Sequence, residues 1–169
     1  MRTAQKSQNQ YGFALLELLI VLLIIGVLIV VILNYINVEE YTKQARDARR
    51  LNDILAVQTA ILNALTTEGI TLVNTANCVT CNSFAGNNSI NGAGWVKFTN
   101  IKGSGLNDII QNLPTDPVNN NTYNFSYYSN GIEFELNAVL ESEKYQINAQ
   151  QDGGNNLSVY ERGLDLEIN

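Results

Sequence analysis

Residues 13–33 form an apolar run whose only charged side chain is Glu17, and no other feature constrains the fold as strongly. Wound as an α-helix, these 21 residues span about 32 Å, close to the roughly 30 Å hydrocarbon core of a bilayer. The sequence therefore predicts a transmembrane helix over residues 13–34. A carboxylate inside such a helix is costly unless it is paired, which makes Glu17 a candidate functional residue.

The residues before the apolar run contain Arg2 and Lys6 and no acidic side chain, like the positively charged start of a secretory signal. The run is longer than the apolar part of such signals, and no small-residue cleavage site follows it. Cleavage ahead of the run is therefore favoured, with residues 1–12 as a leader peptide. The alternative is an uncleaved anchor in which Glu17 reaches toward the membrane surface.

The sequence GFALLE at residues 12–17 resembles the prepilin-peptidase motif of type IV pilins and pseudopilins. The resemblance implies that a prepilin peptidase cleaves between Gly12 and Phe13 and that the new amino group of Phe13 becomes N-methylated. It also implies that Glu17 serves assembly by meeting the N-terminal amine of a neighbouring subunit. An unpaired charge in an apolar surrounding is expensive, and pairing it with an opposite charge offsets that cost.

A second helical pattern continues beyond the membrane, because residues 34–68 contain no proline or glycine and their apolar residues recur at three- and four-residue spacing. The stripe consists of Leu51, Leu55, Leu62 and Leu65 with Gln58 in step, and it is broadened by Ile54, Val57, Ile61 and Ala64. We expect one helix of roughly 55 residues ending at Gly69, in which residues 35–68 pack under a sheet. By the resemblance, Gly26 matches a glycine near which the helix loosens in assembled fibres, whereas Asn34 stands where the family often has a proline.

Residues 39–50 form a charged stretch with two interpretations. The first is a solvated helix face with offsetting pairs such as Glu39–Lys43. The second is a basic patch that meets the acidic head of the next subunit, since residues 69–169 hold four basic and ten acidic side chains.

The remainder, residues 69–169, is predicted to form a globular β-rich head. Alternation and β-branched or aromatic content predict strands at residues 95–99, 123–128, 132–136 and 145–149. Asn130-Gly131 indicates a tight hairpin turn, and residues 106–113 a short helix. The expected fold class is α+β, a long N-terminal helix packed on a small antiparallel sheet, as in the pilin fold that the resemblance implies.

Cys78 and Cys81 are the only two thiols. A thioredoxin-like site would need a βαβ context, and a zinc site would need two more ligands in a chain without histidine. A small structural disulfide is the favoured interpretation, with free thiols as the alternative.

The segment LPTDP at residues 113–117 resembles the C-terminal region of major pseudopilins, whose heads bind calcium in a loop. Oxygen side chains suited to calcium are available at Asp116, Asn119, Asn121, Asp152 and Asp165. Their spacing matches no EF-hand, and turn formation is the commoner role of such residues. We expect no cofactor, with calcium as the alternative and no ligand assigned.

Charge and motif content restrict the function. Without Arg2 and Lys6 the chain has 8 basic and 16 acidic side chains, which argues against phosphate-backbone binding as its main task. No nucleophile or phosphate-loop motif is recognisable, so an enzyme is not expected.

The resemblance implies a structural subunit that polymerises through its N-terminal helix into a type IV pilus for adhesion, motility or DNA uptake. The implied partners are other copies of the chain, prepilin peptidase, an inner-membrane assembly platform and, before assembly, membrane lipid. The implied location is a bacterial membrane with a single crossing, followed by a cell-surface filament. A type II secretion pseudopilin and a membrane-anchored binding module that never polymerises are the alternatives.

Overall fold

A computed structural model describes residues 11–35, 37–99, 103 and 105–169, with backbone alone for residues 11–14 and 34. The predicted leader lies outside the described residues as far as residue 10. The chain divides into two compact units, Met1–Val38 and Glu39–Asn169.

The first unit contains helix α1, Tyr11–Tyr35. It is apolar around its whole circumference, as expected of a membrane span. The stretch Leu15–Leu33 is long and apolar enough to cross a bilayer, and none of it is buried within the protein. The predicted apolar helix is thus present, and its length suits a membrane span.

Helix α2, Val38–Thr67, follows as a separate helix, where one uninterrupted helix was predicted. Asn37 belongs to neither α1 nor α2. Asparagine has low helix propensity because its side chain competes for nearby backbone groups, and two asparagines occur within residues 34–37. The predicted end of α2 is confirmed. Gly69 has φ +63°, and the amides of Glu68 and Ile70 return to the Ala64 carbonyl.

The second unit contains two antiparallel sheets. Strands β1, Thr71–Leu72, and β2, Phe98–Thr99, pair as one short ribbon. Strands β3, Phe125–Ser129, β4, Phe134–Val139, and β5, Val159–Gly163, form the other in the order β3-β4-β5. The predicted hairpin is confirmed, because Ser129 pairs with Phe134 around a turn in which Gly131 has φ +96°.

The prediction of a strand at residues 145–149 was wrong. Helix α3, Glu143–Gln150, occupies this segment. Glutamate, lysine, glutamine and alanine favour helix, and Glu143 complements the N-terminal dipole of α3. Five residues of alternating polarity are too few to distinguish the two-residue repeat of a strand from the 3.6-residue repeat of a helix.

The prediction of a helix over residues 106–113 was also wrong, because the structure has turns there. Within the segment, the amides of Ile109 and Ile110 donate to the Leu106 carbonyl and close a single turn, and both ends are bonded to a neighbouring segment. Leu106 donates its amide to the Ile90 carbonyl, and Leu113 donates to Asn88.

The core lies between α2 and the sheets. From α2 come Ile54, Val57, Ile61 and Ala64, each no more than 1% exposed. They are joined by Trp95 and by one face of β3 and β4, including Phe125, Tyr127, Phe134 and Leu136. The prediction that one apolar face of this helix is buried is confirmed, but the predicted centre of that face was wrong. Leu55 is 52% exposed and Leu62 37%.

Candidate assembly site and the ionic cluster of the head

Helix α1 presents its apolar side chains outward on every side. From Leu15 to Leu33 each large apolar side chain is between 46% and 70% exposed within the chain. Exposing so much apolar surface to water is unfavourable, so this helix is expected to contact either lipid or other apolar helices. The length and composition of the helix suit a membrane anchor.

Glu17 is the one acidic residue of α1, and its side chain is exposed. The backbone of Gly12 and Phe13 is helical, and Glu17 lies four residues after Phe13, about one helical turn along the same face. The positions of peptidase cleavage, N-methylation and assembly remain predictions. Gly26 lies within the helix, and an added side-chain carbon there would meet nothing within 4 Å. Its predicted flexibility is likewise a prediction still.

The charged stretch of α2 leads into the interior of the head. Asp47 and Arg50 are both completely buried, and they continue the same stripe as the apolar core residues of α2. Arg50 binds Asp116 with two parallel hydrogen bonds, Nε to Oδ2 at 2.6 Å and Nη2 to Oδ1 at 2.9 Å. Its Nη1 also donates to Asp47 at 2.8 Å and to Glu141.

Two further groups complete this set. Arg46 donates to both carboxylate oxygens of Glu141, and the Tyr123 ring lies 5.2 Å from the Arg50 guanidinium carbon. We refer to Arg46, Asp47, Arg50, Asp116 and Glu141 as the ionic cluster. Three carboxylates against two guanidiniums leave one excess negative charge, which backbone amides offset.

Those amides come from distant segments. Asp47 accepts hydrogen bonds from the amides of Glu141 and Ser142 and from the Ser142 hydroxyl. Asp116 accepts from the amides of Val118 and Asn119. The ionic cluster therefore fastens α2 to residues 116–119 and to the junction between β4 and α3.

The pKa values of the cluster follow its geometry. Burial opposes the charge of Arg50, but its hydrogen bonds to Asp116, Asp47 and Glu141 prevail and raise its pKa above the ordinary range. The hydrogen bond from Arg46 lowers the pKa of Glu141; burial opposes this effect, and Arg50 adds to it. Both groups are thus held in their charged forms.

Neither interpretation of the charged stretch foresaw this arrangement. Glu39–Lys43 is a surface pair at 2.7 Å, as the first interpretation expected. Arg46 and Arg50 bind carboxylates within the chain, and the contact with a next subunit in the second interpretation stays a prediction. The available signal was spacing, because Asp47 and Arg50 precede Ile54 and Val57 in the same three- and four-residue rhythm.

Cys78 and Cys81 form a disulfide with their Cα atoms 5.6 Å apart. A groove of about 720 Å³ lies beside it. The groove is lined by residues 74–79, by Tyr128, Ser129 and Asn130, and by Ile168.

Four of the five oxygen side chains considered for calcium have hydrogen-bond partners within the chain. Asp116 binds Arg50, Asn119 accepts from the Ser83 hydroxyl, and Asp152 accepts from the amides of Gly154 and Glu161. Asp165 caps the amide of Glu167. Within the described part of the chain, no group of three or more acidic or thiol side chains is arranged to hold a metal ion.

Comparison with known proteins identifies the N-terminal segment. Residues 7–33 match the family model of the prokaryotic N-terminal methylation motif. Comparison with curated proteins gave no match, and comparison with solved structures gave none either. The matched residues contain the Gly12-Phe13 step, Glu17 and the apolar span, so the chain carries the signature of type IV pilins and pseudopilins.

Proposed function

We propose that this protein is the structural subunit of a type IV pilus and that it polymerises through α1 after its leader is removed. The match over residues 7–33 carries the proposal, since it covers the cleavage step and the assembly helix together. In this proposal prepilin peptidase cuts between Gly12 and Phe13, and the new amino group of Phe13 is methylated.

Glu17 then directs assembly. In the bilayer its carboxylate has no partner among the described residues of its own helix, because those residues contain no basic side chain. The N-terminal amine of a neighbouring processed subunit supplies the opposite charge. Pairing the two charges within a bundle of apolar helices offsets the desolvation cost of both and sets the axial position of each new subunit.

The remaining features fit a structural role. An exposed apolar helix suits packing against copies of itself, and head-to-tail contacts of this heterologous kind build a helical filament. The head is held together by the ionic cluster and an apolar core. Before assembly the chain crosses the inner membrane once and meets the assembly platform there, and after assembly it lies at the cell surface.

The first test compares sheared cell-surface and membrane fractions by intact mass and N-terminal sequence. We expect a sheared species that begins at methylated Phe13. A processed species confined to the membrane would favour a pseudopilin, and an unprocessed species would favour a non-polymerising anchor.

The second test separates processing from assembly. We expect Glu17→Gln to be cleaved normally but to yield few or no filaments, while Gly12→Val blocks cleavage. Asp108→Asn is the matched control, because it removes one exposed carboxylate from the head. Normal filaments from Glu17→Gln would overturn the assigned role of Glu17.

A further inference from the structure

Two buried glutamates lie side by side on the face of the three-stranded sheet opposite the core. Asn137 of β4 pairs directly with Glu161 of β5, and Glu135 lies two residues before Asn137. Residues two apart on a strand share a face, so Glu135 and Glu161 are diagonal neighbours. Both glutamates are completely buried, and Asn137 is 4% exposed.

Each carboxylate has one partnered and one unpartnered oxygen. Oε2 of Glu135 accepts from the amides of Ile168 and Asn169 at 3.0 and 3.2 Å. Oε2 of Glu161 accepts from the amide of Asn156 at 3.2 Å. Among the described residues, Oε1 of Glu135 and Oε1 of Glu161 have no hydrogen-bond partner, and neither does Oδ1 of Asn137.

The surroundings add negative charge. Asp152, in the loop after α3, accepts the backbone amide of Glu161 at 2.8 Å, and Oε2 of Glu135 accepts the amide of Asn169. From β3, Tyr128 pairs with Glu135, while Arg162 of β5 donates to the Tyr160 hydroxyl. Over the described part of the chain, no lysine or arginine forms an ion pair with Glu135, Glu161 or Asp152.

Two adjacent buried carboxylates without a cation cannot both be ionised at ordinary cost. Burial raises the pKa of Glu161, and the carboxylates of Glu135 and Asp152 raise it further. A single proton gives both unpartnered oxygens a hydrogen-bond partner, because the protonated carboxyl group donates and the neighbouring carboxylate accepts.

We propose that Glu135 and Glu161 share one proton and together act as an acid-stabilised clasp for the C-terminal edge of the head. Glu161 Oε1–H donates to Glu135 Oε1. The other oxygen of Glu135 holds the last two residues, and that of Glu161 holds residue 156 of the loop after α3. When the proton leaves to water, two negative charges face each other and both segments loosen.

The sign of the pH effect follows from linkage. A carboxyl whose pKa is raised on folding contributes stability that is complete below its unfolded value, near 4.5, and is lost as the pH rises through the folded value. Comparing wild type with Glu161→Gln isolates the contribution of the pair, because titrations elsewhere in the chain are common to both.

The experiment uses the full chain in detergent, with fluorescence of the single tryptophan, buried Trp95, as the reporter of head unfolding. We expect the midpoint of wild type to fall relative to that of Glu161→Gln as the pH rises above 4.5. Glu167→Gln, which changes an exposed glutamate in the same C-terminal segment, should follow wild type throughout. A constant difference between wild type and Glu161→Gln would overturn the proposal.

Infrared spectroscopy provides a direct signature of the shared proton that supplements the stability data. Infrared spectra of wild type should contain a protonated-carboxyl band that persists above pH 4.5 and disappears as the pH rises further. Glu161→Gln and Glu135→Gln should each lose that band. If no band titrates, or if calcium raises and a chelator lowers the midpoint of wild type alone, a cation rather than a proton bridges the pair and the proposal is wrong.

Discussion

Arg50 shows how a charge can occupy a core position. Its guanidinium is completely buried, yet all three nitrogens donate to carboxylates and its face meets Tyr123. A planar group with several donors in fixed directions can satisfy such a site, which a lysine ammonium cannot. The ionic cluster stabilises the head only while all its charged groups are paired, since a group that loses its partners becomes an uncompensated buried charge.

We expect Arg50→Leu to destabilise the head by about 3–5 kcal/mol, because Asp47, Asp116 and Glu141 lose their main partner. Arg49→Leu is the control. Arg49 pairs with Asp53 at 3.3 Å but its side chain is 64% exposed, so its removal should cost about 1 kcal/mol or less. Denaturant unfolding followed by Trp95 fluorescence measures both variants, and equal losses would show that the cluster contributes no more than a surface pair.

Glu141 gives the ionic cluster a defined response to acid. A carboxyl whose pKa is lowered on folding contributes stability above its unfolded value, here 4.5, and loses it as the pH falls through the folded value. Thermal midpoints measured below pH 4.5 should therefore fall more steeply for wild type than for Glu141→Gln. Parallel curves for the two proteins would contradict the assignment.

Helix α2 has an interior face that is ionic at one end and apolar at the other. The buried positions run from Asp47 and Arg50 through Ile54, Val57 and Ile61 to Ala64. The three- and four-residue spacing keeps all of them on one face, so the same geometry that positions the core residues also positions the cluster.

Two isomeric side chains on α2 test this division of the helix. Ile61→Ala should cost about 2–5 kcal/mol, because it opens a cavity in a fully buried position. Leu55→Ala should cost about 1 kcal/mol or less, because Leu55 is 52% exposed. Chemical denaturation measures the free energy of unfolding of both variants. A larger decrease for Leu55→Ala than for Ile61→Ala would place the core on the other side of α2.

Local signals in the sequence predicted local structure well. The apolar span, the end of α2 at Gly69 and the hairpin at Asn130-Gly131 each depend on a few neighbouring residues. Strand β5 was missed because Val-Tyr-Glu-Arg-Gly contains two charges and a glycine, and its strand form depends on pairing with β4. Helix α3 was mistaken for a strand for a different reason, because five residues of alternation are too few to distinguish a strand from a helix.

The candidate sites divide in the same way. The GFALLE sequence and Glu17 could be recognised from adjacent letters. The ionic cluster could not, since Arg50 meets Asp116 and Glu141 across separations of 66 and 91 residues. The buried Glu135–Glu161 pair likewise depends on the register between β4 and β5. Spacing shows which face of an element is buried, but not which partner it meets.

At the scale of the whole molecule, the two units of the chain differ in the polarity of their surfaces. The unit Met1–Val38 exposes apolar side chains throughout its described span, whereas the unit Glu39–Asn169 has its own core and its own ionic cluster. The second unit therefore has what independent folding requires.

We expect a fragment that begins at Glu39 to remain in solution without detergent and to unfold in one cooperative transition. Sedimentation and Trp95 fluorescence test this expectation, with the full chain in detergent as the reference. A fragment that aggregates, or in which Trp95 is exposed to water before denaturation, would show that α1 is needed to stabilise the head.

The ionic cluster also imposes an order on biosynthesis. Arg46 and Arg50 leave the ribosome 91 to 95 residues before Glu141, and Arg50 leaves it 66 residues before Asp116. Closing loops of that length costs chain entropy before any contact repays it. Until Glu141 and Ser142 have emerged, Arg50 lacks one of its carboxylate partners and Asp47 lacks the two amides that it binds. The head therefore cannot complete its fold until residues 141 and 142 have been synthesised.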